Sequence, residues 1–176
     1  LRAYYNDVEQ YNNLQLSRNT YSDHSIATKR LVEIAEQTEC KVMDTSIDTI
    51  NFYLNQYVSI MFEEPISVTL KSTSITKTTN RLKRNVHLDI HHRGREVDDL
   101  SVLSGGERDR ISLALCLAFS TMSSFPFLVL DEVMSSLDSD SRERCRTCID
   151  LLREFKGCVV VNHMDDPSYY THHIAL

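Results

Sequence analysis

Apolar residues recur with different periods along this chain, and the changes of period divide it. Residues 1–43 are polar, contain no glycine or proline, and carry apolar positions at helix-compatible spacing: Tyr4, Val8 and Tyr11, then Leu31, Ile34, Ala35 and Val42. The polar run Ser17–Ser25 interrupts them and predicts a break between two helices. Asp44–Phe62 is a sharper amphipathic helix, with Ile47, Ile50, Leu54, Tyr57, Val58 and Met61 on one face. Asp44 or Ser46 is its expected cap and Pro65 its stop. The pattern then switches to alternation. Ile66–Leu70 and Val86–Ile90 read as half-buried strands, joined by a Thr- and Lys-rich connection, with a turn at Gly94 before a short further strand.

From Ser104 onward, helical and strand-like segments alternate. A glycine pair opens a helix over Ser104–Met122. Phe127–Leu130 is a continuous apolar run ending in Asp131-Glu132, which predicts a strand buried on both faces of a parallel sheet. A helix fits Ser141–Phe155, Gly157 ends it, and Cys158–Val161 is a second buried strand; His172–Leu176 is a last short one. The fold class is therefore α/β, with added helices and a small antiparallel sheet. Two domains are expected: a helical segment over 1–43 and a mixed lobe over 44–176.

Composition changes this picture in three places. The 176 residues contain no apolar run of membrane-spanning length, and the first residues lack a signal-peptide pattern. With no starting methionine, the chain reads as a piece of something longer. Five cysteines, an odd number lying mostly in apolar segments, fit a reducing intracellular compartment. Cys145 and Cys148 have CxxC spacing but fall in a helical pattern without a second ligand pair, so they read as core residues. The net charge of −6 is uneven: Ile66–Arg95 holds seven bases against Asp89 alone. Lys77, Arg81, Lys83 and Arg84 are candidate DNA contacts; a solvated hairpin is the bland alternative.

The candidate chemistry lies between residues 103 and 163. Leu103-Ser-Gly-Gly-Glu107 sits where a loop becomes a helix. Gly105 and Gly106 let backbone N–H groups approach a ligand, the helix end favours an anion, and Ser104 adds a hydroxyl. Asp131 and Glu132 follow a buried strand, at the edge where ligands collect in open α/β sheets. Asp131 suits a magnesium site, directly or through water, and Glu132 suits orienting or deprotonating an attacking water. Ser135-Ser-Leu-Asp138 comes next, and His163 ends the second strand.

The order LSGGE, four apolar residues plus DE, SSLD and a strand-end histidine resembles the ABC-ATPase superfamily. The resemblance covers roughly 44–176 and is dense only from 100 to 165. No GxxxxGK is present, since the chain has only Gly94, Gly105, Gly106 and Gly157. A helical start leading through a strand pair into the signature looks like the SMC-like group, in which a long coiled coil separates the Walker A half from this one. The strand pair and the Gly94 turn look most like the SbcC or Rad-fifty repair branch; Val133, after the two acids, looks more like chromosome-organising SMC proteins.

The resemblance implies the C-terminal lobe of an ABC ATPase head, with residues 1–43 as the base of a returning coiled coil. It implies ATP and Mg²⁺ as cofactors and two heads closing around ATP. Ser104, Gly105, Gly106 and Glu107 would serve a nucleotide held by the opposite head, and the D-loop residues Ser136 and Asp138 would lie at the dimer interface. Asp131 would help hold Mg²⁺, Glu132 would activate water, and His163 would contact the γ-phosphate. Expected partners are the chain's own Walker A half, a second head, double-stranded DNA and an SbcD-type nuclease, with no membrane. A kleisin-bound SMC head is the first alternative, and a non-catalytic ABC-like binding module the second. The lone chain should not hydrolyse ATP.

Overall fold

The computed structural model describes residues 2–76, 82–97, 99–162, 170 and 172. Its elements are α1 (Arg2–Met61), β1 (Ile66–Thr76), β2 (Leu82–His92), β3 (Arg95–Val97), a 3-10 turn (Leu100–Val102), α2 (Gly105–Met122), β4 (Phe127–Asp131), α3 (Ser139–Arg153) and β5 (Gly157–Val161). Leu1–Thr45 and Ser46–Leu176 are two compact units.

In the first unit the expected break at Ser17–Ser25 does not occur; the helix is continuous. The polar residues that suggested a break are absorbed into it. Thr20 donates its hydroxyl to the Leu16 carbonyl (3.0 Å) and Thr28 to the His24 carbonyl (2.8 Å). Such back-bonding satisfies a side chain inside a helix, and no glycine or proline interrupts the run. For the same reason neither Asp44 nor Ser46 begins a helix. Tyr4, Tyr11, Leu31 and Ile34 are exposed in this unit.

The second unit holds the core. Ile47, Ile50, Leu54, Tyr57, Val58 and Met61 of α1 are buried, as the helical spacing predicts. So are Val68 and Leu70 of β1, Ile90 of β2, Ile111, Leu113 and Leu117 of α2, and Cys145, Cys148 and Leu152 of α3. Two polar ties fix α1 here. Asn51 donates from Nδ2 to the Leu70 carbonyl (2.9 Å) and accepts from the Leu70 N–H at Oδ1 (2.8 Å), so one amide replaces a missing strand partner. The Tyr57 hydroxyl shares a hydrogen bond with Thr121 Oγ1 of α2 (2.9 Å).

β1, β2 and β3 form an antiparallel sheet in that order, with Val68 opposite Ile90 and His92 opposite Arg95. Strands β1 and β2 run well beyond the predicted five residues each. The β2–β3 turn uses Arg93 (φ 52°) and Gly94 (φ 74°), both left-handed, as a two-residue hairpin of type I′ requires.

β4 and β5 pair in parallel, Leu128 with Cys158 and Asp131 with Val161, and α3 makes the crossover. Burial on both faces is not what they show. Leu130 is buried, but Phe127, Val129 and Val159 are 56%, 55% and 53% exposed. The reason is the number of layers: in this chain the helices packed on these strands leave their alternate residues uncovered. The strand expected at 172–176 lies outside the described residues apart from His172.

Asn51→Ala leaves both Leu70 backbone groups without their partner. It should lower unfolding free energy by about 1–3 kcal/mol in denaturant titrations.

Candidate active site

The signature loop is built by helix capping. Ser104 is the N-cap of α2, at φ −59° and ψ 157°. Its Oγ accepts from the Glu107 N–H (3.3 Å), and Glu107 Oε2 accepts from the Ser104 N–H (2.9 Å) and from the Ser104 hydroxyl (2.7 Å). This reciprocal box satisfies donors that a helix start leaves orphaned. The Ser104 hydroxyl, then its N–H, hold the Glu107 carboxyl below the usual carboxylate range. A Cβ at Gly105 would meet nothing within 4 Å, so that side of the loop is open. At Gly106 it would touch Leu137 Cδ2 at 3.5 Å, so the loop packs on the segment that carries the D-loop.

The D-loop is tied to the same helix. The Ser136 hydroxyl donates to Asp109 Oδ2 of α2. Asp138 caps α3, accepting from the Ser141 N–H (2.8 Å) and the Ser141 hydroxyl (3.0 Å), and these bonds lower its carboxyl pKa. Sequence reasoning gave Asp138 a role at an interface and missed this capping role, although Asp just before a helical pattern is a preferred N-cap residue. Arg110 was missed too. It donates to the Met61 carbonyl (2.9 Å) and lies 4.1 Å from the Phe62 ring centroid, joining α2 to the end of α1.

Asp131 ends β4 and is exposed. Glu132 follows in the left-handed region (φ 50°), a conformation a non-glycine residue holds only when its surroundings enforce it. They do: the Glu132 N–H donates to the Val161 carbonyl (2.9 Å), and its carbonyl accepts from the Ser135 N–H (3.1 Å). The parallel register thus brings the end of β5 alongside Glu132. His163, two residues beyond β5, lies outside the described residues.

Of the candidate DNA contacts, Lys77 and Arg81 lie outside the described residues. Lys83 and Arg84 are in β2, opposite Ile75 and Ser74, but their side chains are not described. Lys71 of the same hairpin pairs with Asp89. Asp89, His91 and Glu96 are the described residues close enough together to hold a metal, and the Lys71 ammonium already sits on Asp89. Cys145 and Cys148 are fully buried, which pushes their thiols up to about 11 and about 12, so both stay protonated core residues. Among the described residues no helix is long and apolar enough to cross a membrane.

Asp131 fits the chemistry of a Mg²⁺ holder: an exposed carboxylate is a hard oxygen donor, and Mg²⁺ commonly takes one or two carboxylates with phosphate oxygens. The open N-terminus of α2 fits an anion.

Because the Asp138 pKa is lowered on folding, its contribution is present above the unfolded value and lost as pH falls through the folded one. The unfolding midpoint should therefore fall on acidification below about pH 4. Asp138→Asn, which keeps an acceptor, should flatten that part of the pH profile in thermal scans.

No family model matches the chain. It is 36% identical over 143 residues to uncharacterized protein 050L of Invertebrate iridescent virus 6, covering 77% of this chain and 13% of that protein. It is 26% identical over 160 residues to the chromosome partition protein Smc of Halothermothrix orenii, covering 89% of this chain and again 13% of the relative. The chain thus spans 13% of the length of these curated relatives. Its backbone matches the Smc head domain with an extended coiled coil, bound to the C-terminal domain of ScpA, from Pyrococcus furiosus. The TM-score is 0.74 and the identity 17%, over 88% of this chain and 38% of that one. These matches lend the SbcC or Rad-fifty branch no specific support. The chain has the fold of the C-terminal part of an SMC head domain, including the base of its coiled coil.

Proposed function

We propose that this chain is the C-terminal half of an ATP-hydrolysing, SMC-like head that closes on a second head around ATP and acts on DNA. The observation that carries the reading is the pair Asp131 and Glu132, exposed at the carboxyl end of a parallel strand on an SMC-head fold. The chain's own Walker A half is the first partner. The uncovered apolar residues Phe127, Val129 and Val159 suit the missing layer, since parallel sheets are covered on both faces.

The roles follow from chemistry. Glu132 orients the attacking water and takes its proton, its backbone held by Val161. Ser104 and the N–H groups at Gly105 and Gly106 bind the γ-phosphate of a nucleotide held by the opposite head. Asp131 would hold Mg²⁺, which when bound would neutralise phosphate charge. Ser136 and Asp138 shape the edge facing the second head, and His163 contacts the γ-phosphate. Such catalysis is positioning and charge stabilisation, which half a constellation supplies poorly, so the lone chain is inactive. Residues 1–43 serve as the base of the returning coiled coil. The setting is the reducing interior of a cell, in keeping with five free thiols.

Two DNA tasks remain distinct. The Smc relative and Val133 favour a chromosome-organising head with a kleisin partner; the similar Pyrococcus furiosus head is bound to the C-terminal domain of ScpA. The strand pair before the signature is the basis for the alternative, break repair or recombination with an SbcD-type nuclease.

In the full-length protein, Glu132→Gln should cut ATP turnover by at least about 100-fold while prolonging the ATP-bound dimer seen by size-exclusion chromatography. Normal turnover would remove Glu132 as the base. Ser104→Arg should abolish dimerisation and leave nucleotide binding within the same head intact; loss of that binding would remove the trans role. Replacing Lys77, Arg81, Lys83 and Arg84 by Ala should weaken DNA binding and flatten its salt dependence. An unchanged salt slope leaves the hairpin as a solvated surface.

A further inference from the structure

His92, the last residue of β2, is a histidine that neither the motif pattern nor the proposed mechanism uses. Its side chain is only 11% exposed, and both ring nitrogens are buried without a hydrogen bond. Buried polar atoms are nearly always bonded, so an imidazole in this state calls for a reason. Glu107 Oε1 lies 3.2 Å from Nε2; the approach is off the line of a hydrogen bond, so the contact is electrostatic. Glu107 is itself only 17% exposed, and its other oxygen, Oε2, holds the N–H and hydroxyl of Ser104. One carboxylate therefore joins the β2–β3 hairpin to the signature serine.

The surroundings add two charges. Arg93, next in the turn, pairs with Glu64 from the segment after α1 (Nε to Oε2, 2.6 Å) and also acts on Glu107. The local set is thus Glu64 and Glu107 against Arg93 and the His92 imidazole. An incoming phosphate would add negative charge beside Glu107, and the Ser104 hydroxyl proton now points to that same carboxylate. For Ser104 to serve a phosphate, its proton must leave Glu107, and Glu107 must keep another source of positive potential.

We propose that His92 is a positioning residue for the signature serine. An N–H on Nε2 facing Glu107 Oε1 offsets the carboxylate, so that Ser104 can turn its hydroxyl from Glu107 to a phosphate while its Oγ still accepts from the Glu107 N–H and its own N–H still donates to Glu107 Oε2. The inference rests on the phosphate-binding role of the signature loop proposed above. No bond is made or broken in the step; one hydroxyl rotates from one acceptor to another.

The test is a double-mutant cycle in the full-length protein, reading KM for ATP and kcat. Wild type must turn over ATP; if it does not, the proposed function falls and this inference with it. With wild type active, His92→Ala should raise KM about tenfold and leave kcat within about twofold, as expected for losing one interaction with a charged group. In a Glu107→Gln background there is no carboxylate charge to balance. There His92→Ala should change KM less than about twofold, relative to Glu107→Gln itself. His92→Gln, which returns an N–H near the Nε2 position, should recover most of the loss, and it carries the cycle if the alanine variant does not fold. An unchanged KM in His92→Ala overturns the proposal. So does an equal KM penalty in the wild-type and Glu107→Gln backgrounds, which would mean that His92 only fills space.

Discussion

The N-termini of α2 and α3 are the constraint on which the rest of this lobe is arranged. A helix start leaves backbone donors unsatisfied, and each must find an acceptor or water. Ser104 and Glu107 meet that need for α2, and Asp138 meets it for α3. These same residues carry the sequence motifs. Ser136, two residues before Asp138, bonds back to Asp109 on α2, and Gly106 packs against Leu137 between them. The two caps are thereby tied to each other. Arg110, one turn farther along α2, extends the tie to the end of α1 through the Met61 carbonyl.

A second constraint acts on the parallel pair. β4 and β5 are joined by α3, and their one buried large side chain, Leu130, points to the helical side. Phe127, Val129 and Val159 alternate with the covered positions and remain open. An all-apolar strand is the pattern of a sheet covered twice, and this chain supplies one cover. The apolar run thus anticipates a cover on both faces, while the chain's own fold supplies one.

That distinction explains what was legible in the sequence. Helix and strand periods located the elements of the second unit, because burial there follows the 3.6 and 2.0 spacings closely: Ile50, Leu54 and Met61 in α1, Val68 and Ile90 across the antiparallel pair. The glycine pair, the paired acids and the Ser135–Asp138 segment could be placed from sequence because they sit at helix starts and a strand end. What was not legible depended on contacts distant in sequence or on local bonding. The break expected near Ser17–Ser25 vanished because threonine hydroxyls found carbonyls four residues back. The Asn51 clamp on Leu70 joins a helix to a strand nineteen residues on, and no local pattern marks it. His92 gave no signal because its partner Glu107 lies fifteen residues on, beyond a turn, a strand and a 3-10 turn that no local pattern links to it.

The caps also set a limit on how the site can work. A helix N-terminus accepts one kind of guest, an acceptor of negative or partial negative charge, and in this chain that guest is internal. Glu107 already occupies the donors of Ser104, which lowers its pKa and keeps it ionised. On the proposed reading, a phosphate coming to the same loop would compete with a carboxylate that is covalently part of the helix. Gly105 leaves one side of the loop open, and the Ser104 hydroxyl, now donated to Glu107, could reach a new acceptor by turning about its C–O bond. The internal carboxylate holds the loop at Ser104 in its capped shape. On the proposed reading its cost would be a negative charge beside the arriving one, offset by the neighbouring hairpin: His92 Nε2 lies 3.2 Å from Glu107 Oε1, and Arg93, paired with Glu64, adds positive potential.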